Sequence, residues 1–388
     1  MRPHVDQRQA HVLALVRARG SARVGDLARE LGISPVTLRR DVEVMAARGE
    51  IRRMHGVISR LPSDPAGPAQ GGPGTGPGTG TASGTGRSGG GLVVGMVVPT
   101  TDYYYADVVR GAREVVEARG ARLAVGLTRY LAGEDRTQAD RLLSTGADGL
   151  LLTPNWAAGT PGPGEGAWTA ELPVPTVLVE RWAPPGHPAA ALDRVASDHA
   201  DGAARAVAHL AERGHKRIAL ACRETPTSGR LRTGFAAAVA TLGLEPAPAW
   251  PAAGARQPAA GAGTADTAAG AASPPEAEAF ARTLDYLCAA VAEGGVTAAL
   301  IHSDTDAIML IPRLQARGVR VPEDLAVITY DDEVAELADV PLSAVAPAKR
   351  EVGARAAGML LDRLEDRGSG REGPRQHLDL LPRLTVRP

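Results

Sequence analysis

The sequence predicts an α/β protein in two parts: a small N-terminal winged helix-turn-helix, then a two-lobed body of doubly wound parallel sheets. Three observations predict it. Residues 8–60 hold three helical patterns that each close on a glycine, residues 92–345 alternate short apolar runs with amphipathic stretches, and a tract almost without apolar side chains separates them. At 388 residues the chain exceeds one ordinary domain, and each part is long enough to bury a core.

The first part reads QAHVLALVRARG, VGDLARELG and SPVTLRRDVEVMAARG, ending at Gly20, Gly32 and Gly49. Glycine accepts the left-handed conformation that closes a helix. Only Gly32, Ile33 and a Ser34 cap with Pro35 in the first turn separate the second helix from the third, which is the short turn of a helix-turn-helix. Leu27, Leu31, Ile33, Leu38, Val42 and Met45 are expected to bury against Leu13 and Val16.

The third helix then presents Ser34, Val36, Thr37, Arg39 and Arg40. Short side chains at its start allow close approach to base edges of double-stranded DNA, and the two guanidinium groups can pair with guanine or hold phosphates. The segment IRRMHGVIS predicts a tight hairpin, a wing whose Arg52, Arg53 and His55 would lie over flanking phosphates. Charge agrees with this reading: residues 1–60 carry twelve arginines against six acids, although the whole chain has a net charge of −1. Phosphate binding needs clustered cations and not a high overall pI.

Residues 62–91, including GGPGTGPGTGTASGTG, cannot offset the entropy of ordering and predict a flexible linker, dividing the chain into a head at 1–61 and a body at 92–388. The body runs LVVGMVV, a helix from Tyr105, RLAVGLT, a helix from Glu134, GLLLT and PTVLVE, an order that predicts a parallel sheet. The pattern resumes with a helix from His199, RIALACR, helices near Phe235 and from Phe280, AALIHS, a further helix and LAVITY, giving a second, similar lobe. Tracts at 157–166 and about 245–279 read as surface loop insertions.

The function classes left open are few. The N-terminus has no apolar signal core and no run is long enough to cross a bilayer, so a cytoplasmic location and no membrane partner are expected. Cys222 and Cys288 lack ligand spacing and read as buried reduced thiols. No P-loop, GxSxG or HExxH occurs and the histidines show no paired metal spacing, so neither enzyme activity, nor a cofactor, nor a metal is expected.

The segment ISPVTLRRDVEVMAARGEIRRMHG resembles the DeoR-type winged helix. That resemblance implies that Ser34, Thr37, Arg39 and Arg40 belong to the recognition helix and that His55 and Gly56 close the wing, with Val57 standing where the family often has a second glycine. From Leu92 onward the chain resembles LacI/GalR regulators, whose sensor is a periplasmic-binding-protein-like domain of two lobes closing on a sugar or similar solute. SDHADGAARAVAHLAERGHKRIAL and SDTDAIMLIPRLQARGVRVPEDLAVITYDD carry the likeness most strongly, with PTVLVER placed at the lobe crossover.

Ligands of open α/β sheets bind beyond the carboxyl ends of strands, and Tyr103, Tyr104 and Tyr105 stand there as a stacking wall. The resemblance adds Glu180 with Arg181, Asp331 ahead of Asp332, Ser303 and Asp304 in place of the family's Asn-Asp, and a pocket arginine that the register of TPTSGRLRTGF assigns to Arg230 or Arg232, with Arg232 leading. It implies a repressor relieved by a carbohydrate effector, acting on an operator as a homodimer through the sensor. A linker of about 30 residues spans roughly 30 Å root-mean-square, close to the ~34 Å between successive major-groove half-sites.

Overall fold

The computed structural model describes residues 91–248 and 274–387 apart from 372. In the N-terminal part it describes three short strands and the helical positions Val12, Leu13, Leu15, Val42 and Met45. The chain divides into two compact units, Met1–Gly86 and Arg87–Pro388.

In the first unit β2 (Arg52–Met54) and β3 (Val57–Ser59) pair antiparallel with Met54 opposite Val57, so residues 55 and 56 alone connect them. The wing hairpin expected at IRRMHGVIS is therefore present in the backbone. A third strand, β1 (Ser21–Arg23), adds to the far side of β3 and gives the order β1-β3-β2. Three residues without alternating polarity carry no strand signal of their own, which is why the sequence pattern predicts only the pair. Val12, Val42 and Met45 are fully buried. Ser34, Val36, Thr37, Arg39, Arg40 and His55 lie outside the described residues, as do Leu27, Leu31, Ile33 and Leu38; Arg52 and Arg53 stand on β2.

The second unit contains two sheets. The first lobe is built from β4 (Val93–Val98), α1 (Tyr104–Ala118), β5 (Arg122–Leu127), α2 (Glu134–Ser144), β6 (Gly149–Leu152), β7 (Thr176–Val179) and β8 (Asp193–Ser197). The second holds α3 (His199–Glu212), β9 (Ile218–Cys222), α4 (Ser228–Thr241), α5 (Pro274–Ala292), β10 (Ala298–His302), α6 (Asp304–Ala316), β11 (Ala326–Tyr330) and β12 (Ser343–Ala346). The chain then returns as α7 (Lys349–Gly368) and β13 (His377–Leu380) to the first sheet, and ends as β14 (Arg383–Thr385) on the second.

The sheet orders are β13-β8-β7-β6-β4-β5 and β14-β12-β11-β10-β9, all parallel except the antiparallel β12–β14 edge. Apolar clusters lie on both faces of each sheet, which is the doubly wound α/β arrangement expected. Val94, Met96, Leu150 to Leu152 and Val177 to Val179 are almost wholly buried, as continuous apolar strands covered on both faces require.

Several expectations are corrected here. The lobe crossover is not at PTVLVER: that segment is β7 inside the first lobe, and the chain crosses only after β8, at Asp198. DRVAS was missed as a strand because Asp193 and Arg194 break its apolar run, yet Asp193 is buried on the paired guanidinium of Arg363 at 2.7 and 2.8 Å. The returning α7 belongs to the first lobe, where Val352, Ala356, Leu360 and Leu361 pack on its sheet.

The tract at 157–166 is a surface loop, with Ala157, Ala158, Pro163, Gly164 and Glu165 exposed, anchored at the buried Gly159. Gly159 accepts a hydrogen bond from the Trp182 backbone, and a Cβ built on it would meet the Pro226 carbonyl oxygen of the second lobe at 2.1 Å. Of the tract at 245–279, residues 249–273 lie outside the described residues; α5 already begins at Pro274, and Glu245 forms a parallel bridge with Arg217.

Candidate functional site

Parallel strands of both sheets deliver their carboxyl ends to one cleft between the lobes, a cavity of about 290 Å³. This is the place where open α/β sheets bind ligands, and its size suits a small solute. Tyr103, Tyr104, Tyr105, Glu180 and Arg181 line it from the first lobe, and Ser303 and Asp331 from the second. Backbone strain is concentrated at these strand ends. Tyr103, Tyr130, Glu180 and Asp331 have φ of 50°, 57°, 54° and 95°, a region costly for residues with a Cβ.

The Glu180 carboxylate is spent on the protein. One oxygen accepts from the Tyr104 hydroxyl at 2.7 Å and the Ser197 hydroxyl at 2.8 Å; the other accepts from the Ser197 amide at 3.1 Å and faces His199 Nε2 at 3.4 Å. His199 Nδ1 lies 3.0 Å from the Tyr330 hydroxyl, so this network ties both lobes at the crossover. Burial raises the Glu180 carboxyl, but the His199 contact, the Tyr104 hydroxyl and the Ser197 amide outweigh it and hold the group below its ordinary value. The Glu180 carboxylate thus reaches back to Ser197 beside Arg181 on the cavity wall.

Tyr103 crosses the cleft. Its hydroxyl donates to Asp304 and lies 3.4 Å from Asp331. Burial, then the charge of Asp331 and the bond to Asp304, push the phenol well above its ordinary range, so it stays a hydrogen-bond donor. Asp304 is not on the cavity wall. It is fully buried and accepts from the amides of Thr305, Glu333 and Val334, pinning the loop that carries Asp331. Asp332 pairs with Arg387 at 2.8 Å, leaving Asp331 as the carboxylate facing the cleft.

Neither Arg230 nor Arg232 lines the cavity. Arg232 pairs with Glu224, and Arg230 lies over the Trp182 ring at 4.1 Å from its centre, where burial lowers its pKa. The cleft arginine of the second lobe is Arg223, bonded to Asp306 at 2.7 Å. It follows β9 directly, and His302 ends β10. The wall also includes Tyr130, His199, Thr225, Pro226, Thr227, Thr305 and Asp306. Taking the residues at the carboxyl end of every parallel strand, and not only at motif positions, would have found Arg223 and His302.

His302 is buried, 3.6 Å from Asp331 and 3.9 Å from the Cys222 thiol. Burial outweighs the attraction of Asp331 and lowers its pKa, while burial pushes the Cys222 thiol up to about 12. The acid-side stability of the sensor follows. A depressed histidine stabilises fully above its ordinary value of 6.5, and that contribution is lost as pH falls toward its folded value; the depressed Glu180 contribution is lost below 4.5. The melting temperature should therefore fall in two stages between pH 7 and pH 3, the first absent in His302→Gln and the second smaller in Glu180→Gln, the remainder coming from Asp193, which Arg363 holds below its ordinary value against the effect of burial. Identical pH profiles for the wild type and both variants would refute this.

The chain matches three family models: a DeoR-like helix-turn-helix domain at residues 8–63, the periplasmic binding proteins and sugar binding domain of the LacI family at 91–266, and a periplasmic binding protein-like domain at 207–388. The HTH-type transcriptional repressor PurR of Vibrio cholerae is 28% identical over 304 residues, 76% of this chain and 80% of that protein.

Among solved structures, a LacI family transcriptional regulator from Mycobacterium smegmatis aligns at 23% identity and TM-score 0.57, over 76% of this chain and 97% of that one. A LacI family regulator from Enterococcus faecium with bound ribose aligns at 19% identity and TM-score 0.54, over the same shares of the two chains. Likeness at these identities establishes a shared fold over 76% of this chain, the family models place it at residues 91–388, and the helix-turn-helix match covers residues 8–63. The chain is a transcription regulator that joins a DeoR-like helix-turn-helix domain to a LacI-type, periplasmic-binding-protein-like sensor.

Proposed function

We propose that this regulator is a repressor whose operator binding is modulated by a small carbohydrate effector held in the interlobe cleft. The observation that carries the reading is the cleft itself: strand ends of two lobes converge on a small cavity walled by tyrosines and by charged groups of both signs. Aromatic faces stack on the apolar face of a sugar ring, and the polar groups fix its oxygens. The sugar-binding description of the matching family model and the ribose in the Enterococcus faecium structure support this class.

In this reading Tyr103, Tyr104, Tyr105, Arg181, Ser303 and Asp331 contact the effector, and Glu180 and Asp304 position Tyr104 and Tyr103. The working parts are a head at 1–61, a linker at 62–91 and a sensor at 92–388. The protein acts in the cytoplasm as a homodimer through the sensor, binding its ligands without catalysing a reaction. No helix among the described residues is long and apolar enough to cross a membrane. An effector that binds the closed lobes better than open ones shifts the dimer toward one geometry, and the two tethered heads respond.

The test is binding of the purified chain to its own upstream promoter DNA across a salt series, with and without a panel of sugars. Salt-sensitive, sequence-selective binding that one sugar weakens is the expected result. Selective binding that no sugar alters would remove the effector half, and the absence of selective binding at any salt would remove the operator half.

A further inference from the structure

We infer that the effector carries an anionic oxygen group, a carboxylate or a phosphate, which the cleft takes on the guanidinium of Arg181. The inference rests on the effector reading of the cleft and narrows it from a sugar to an acidic sugar derivative.

Arg181 is 2% exposed and lines the cavity. Its Nε donates to the Pro154 carbonyl at 2.6 Å, and one terminal nitrogen donates to the Glu180 carbonyl at 2.7 Å and to the Tyr105 hydroxyl at 3.3 Å. The other terminal nitrogen has no hydrogen-bond partner. No carboxylate pairs with this guanidinium among the described residues; the adjacent Glu180 carboxylate is turned to Ser197, Tyr104 and His199. The comparably buried Arg363 shows the usual arrangement, with two nitrogens on Asp193. A buried charge without a counter-ion is costly, so a site that keeps one open is built to receive the opposite charge.

The second lobe adds donors to the same cavity. Arg223 gives only its Nε to Asp306 among the described residues, leaving both terminal nitrogens to the cleft. The amino end of α4 reaches the wall through Thr225, Pro226 and Thr227, with no acid in its first turn, no side-chain cap at Thr227 and an unpartnered Thr225 hydroxyl. Such a helix end favours anions; Glu224, which accepts from the Ser228 hydroxyl at 3.3 Å, is paired with Arg232. Two carboxylates of the wall are meanwhile matched internally, Glu180 through four contacts from Tyr104, Ser197 and His199, and Asp306 by Arg223, while Asp331 lies 3.4 Å from the Tyr103 hydroxyl and 3.6 Å from His302.

The test is calorimetric titration of the full-length protein with matched probes: ribose, ribonate and ribose 5-phosphate, and glucose, gluconate and glucose 6-phosphate. At least one acidic member should bind about tenfold to a hundredfold more tightly than its neutral parent, the effect of one charge-assisted contact. Whether the carboxylate or the phosphate series shows the gain identifies the source. The preference should collapse in Arg181→Gln, and shrink in the half-exposed Arg223→Gln, which keeps the inference testable if the buried variant fails to fold. Neutral sugars binding as tightly as their acids, or a preference that survives in both variants, would overturn the inference and leave the effector cleft standing. Binding of none of the six would overturn both.

Discussion

Replacing Gly353 by leucine is expected to unfold the first lobe of the sensor. A Cβ at Gly353 would lie 1.8 Å from the Val108 carbonyl oxygen, and one at Gly111 would lie 1.8 Å from that of Arg350. Helices α1 and α7 thus cross backbone against backbone at two glycines, with no flexible side chain to yield. Ordinary overpacking of a core costs about 1–3 kcal/mol, and displacing a helix backbone costs more, so a loss of about 4 kcal/mol or greater is expected. Urea unfolding measures it. Gly358→Ala in the same helix is the control: its Cβ meets nothing within 4 Å, and removing backbone freedom should add about 0.5–1 kcal/mol. A Gly353→Leu variant as stable as that control would show that the helices can separate freely.

The second large effect is expected on DNA. Arg39→Ala with Arg40→Ala should lower operator affinity by about a hundredfold to ten-thousandfold, since each base or phosphate contact of an arginine contributes roughly 1–3 kcal/mol. The dependence of log affinity on log salt should flatten by about 0.9 for each phosphate that is no longer neutralised. The sensor must remain folded and still bind effector, which calorimetry on the same variant verifies. Unchanged affinity and slope would remove this helix from the DNA interface. A drop in affinity without a change in slope would assign both side chains to base edges alone.

Local chemistry explains what the sequence made legible. The glycines at 20, 32 and 49, the Ser34-Pro35 start and the IRRMHGVIS hairpin are short-range signals, and a two-residue wing turn follows from them. In the sensor, LVVGMVV, GLLLT and PTVLVE are continuous apolar runs because both faces of their sheet are covered, so their strands were readable one by one. DRVAS was not, because its buried polar end is compensated by Arg363, 170 residues away. The returning helix from Lys349 could not be placed either: nothing in its own pattern says which of two similar lobes it will cover.

The same division runs through the cleft. Tyr103 follows from its place after the first strand, Arg181 and Asp331 from positions where a resemblance pointed, and all three line the cavity. Arg230 and Arg232 were named on register alone, and Glu224 and the Trp182 ring claim them. Arg223 entered only with the geometry, as the residue its strand happens to end on.

The sequence by itself determined the two-part plan, the helix-turn-helix and the alternation of strands and helices, since each is encoded within a few turns of chain. The tertiary structure decided where the chain crosses between lobes, which carboxylates are consumed by internal partners, and which guanidinium groups are left facing the cavity. Those outcomes depend on contacts between residues tens to hundreds of positions apart, where the hydrogen-bonding capacity of each polar side chain is spent on whichever partner the packing brings within reach.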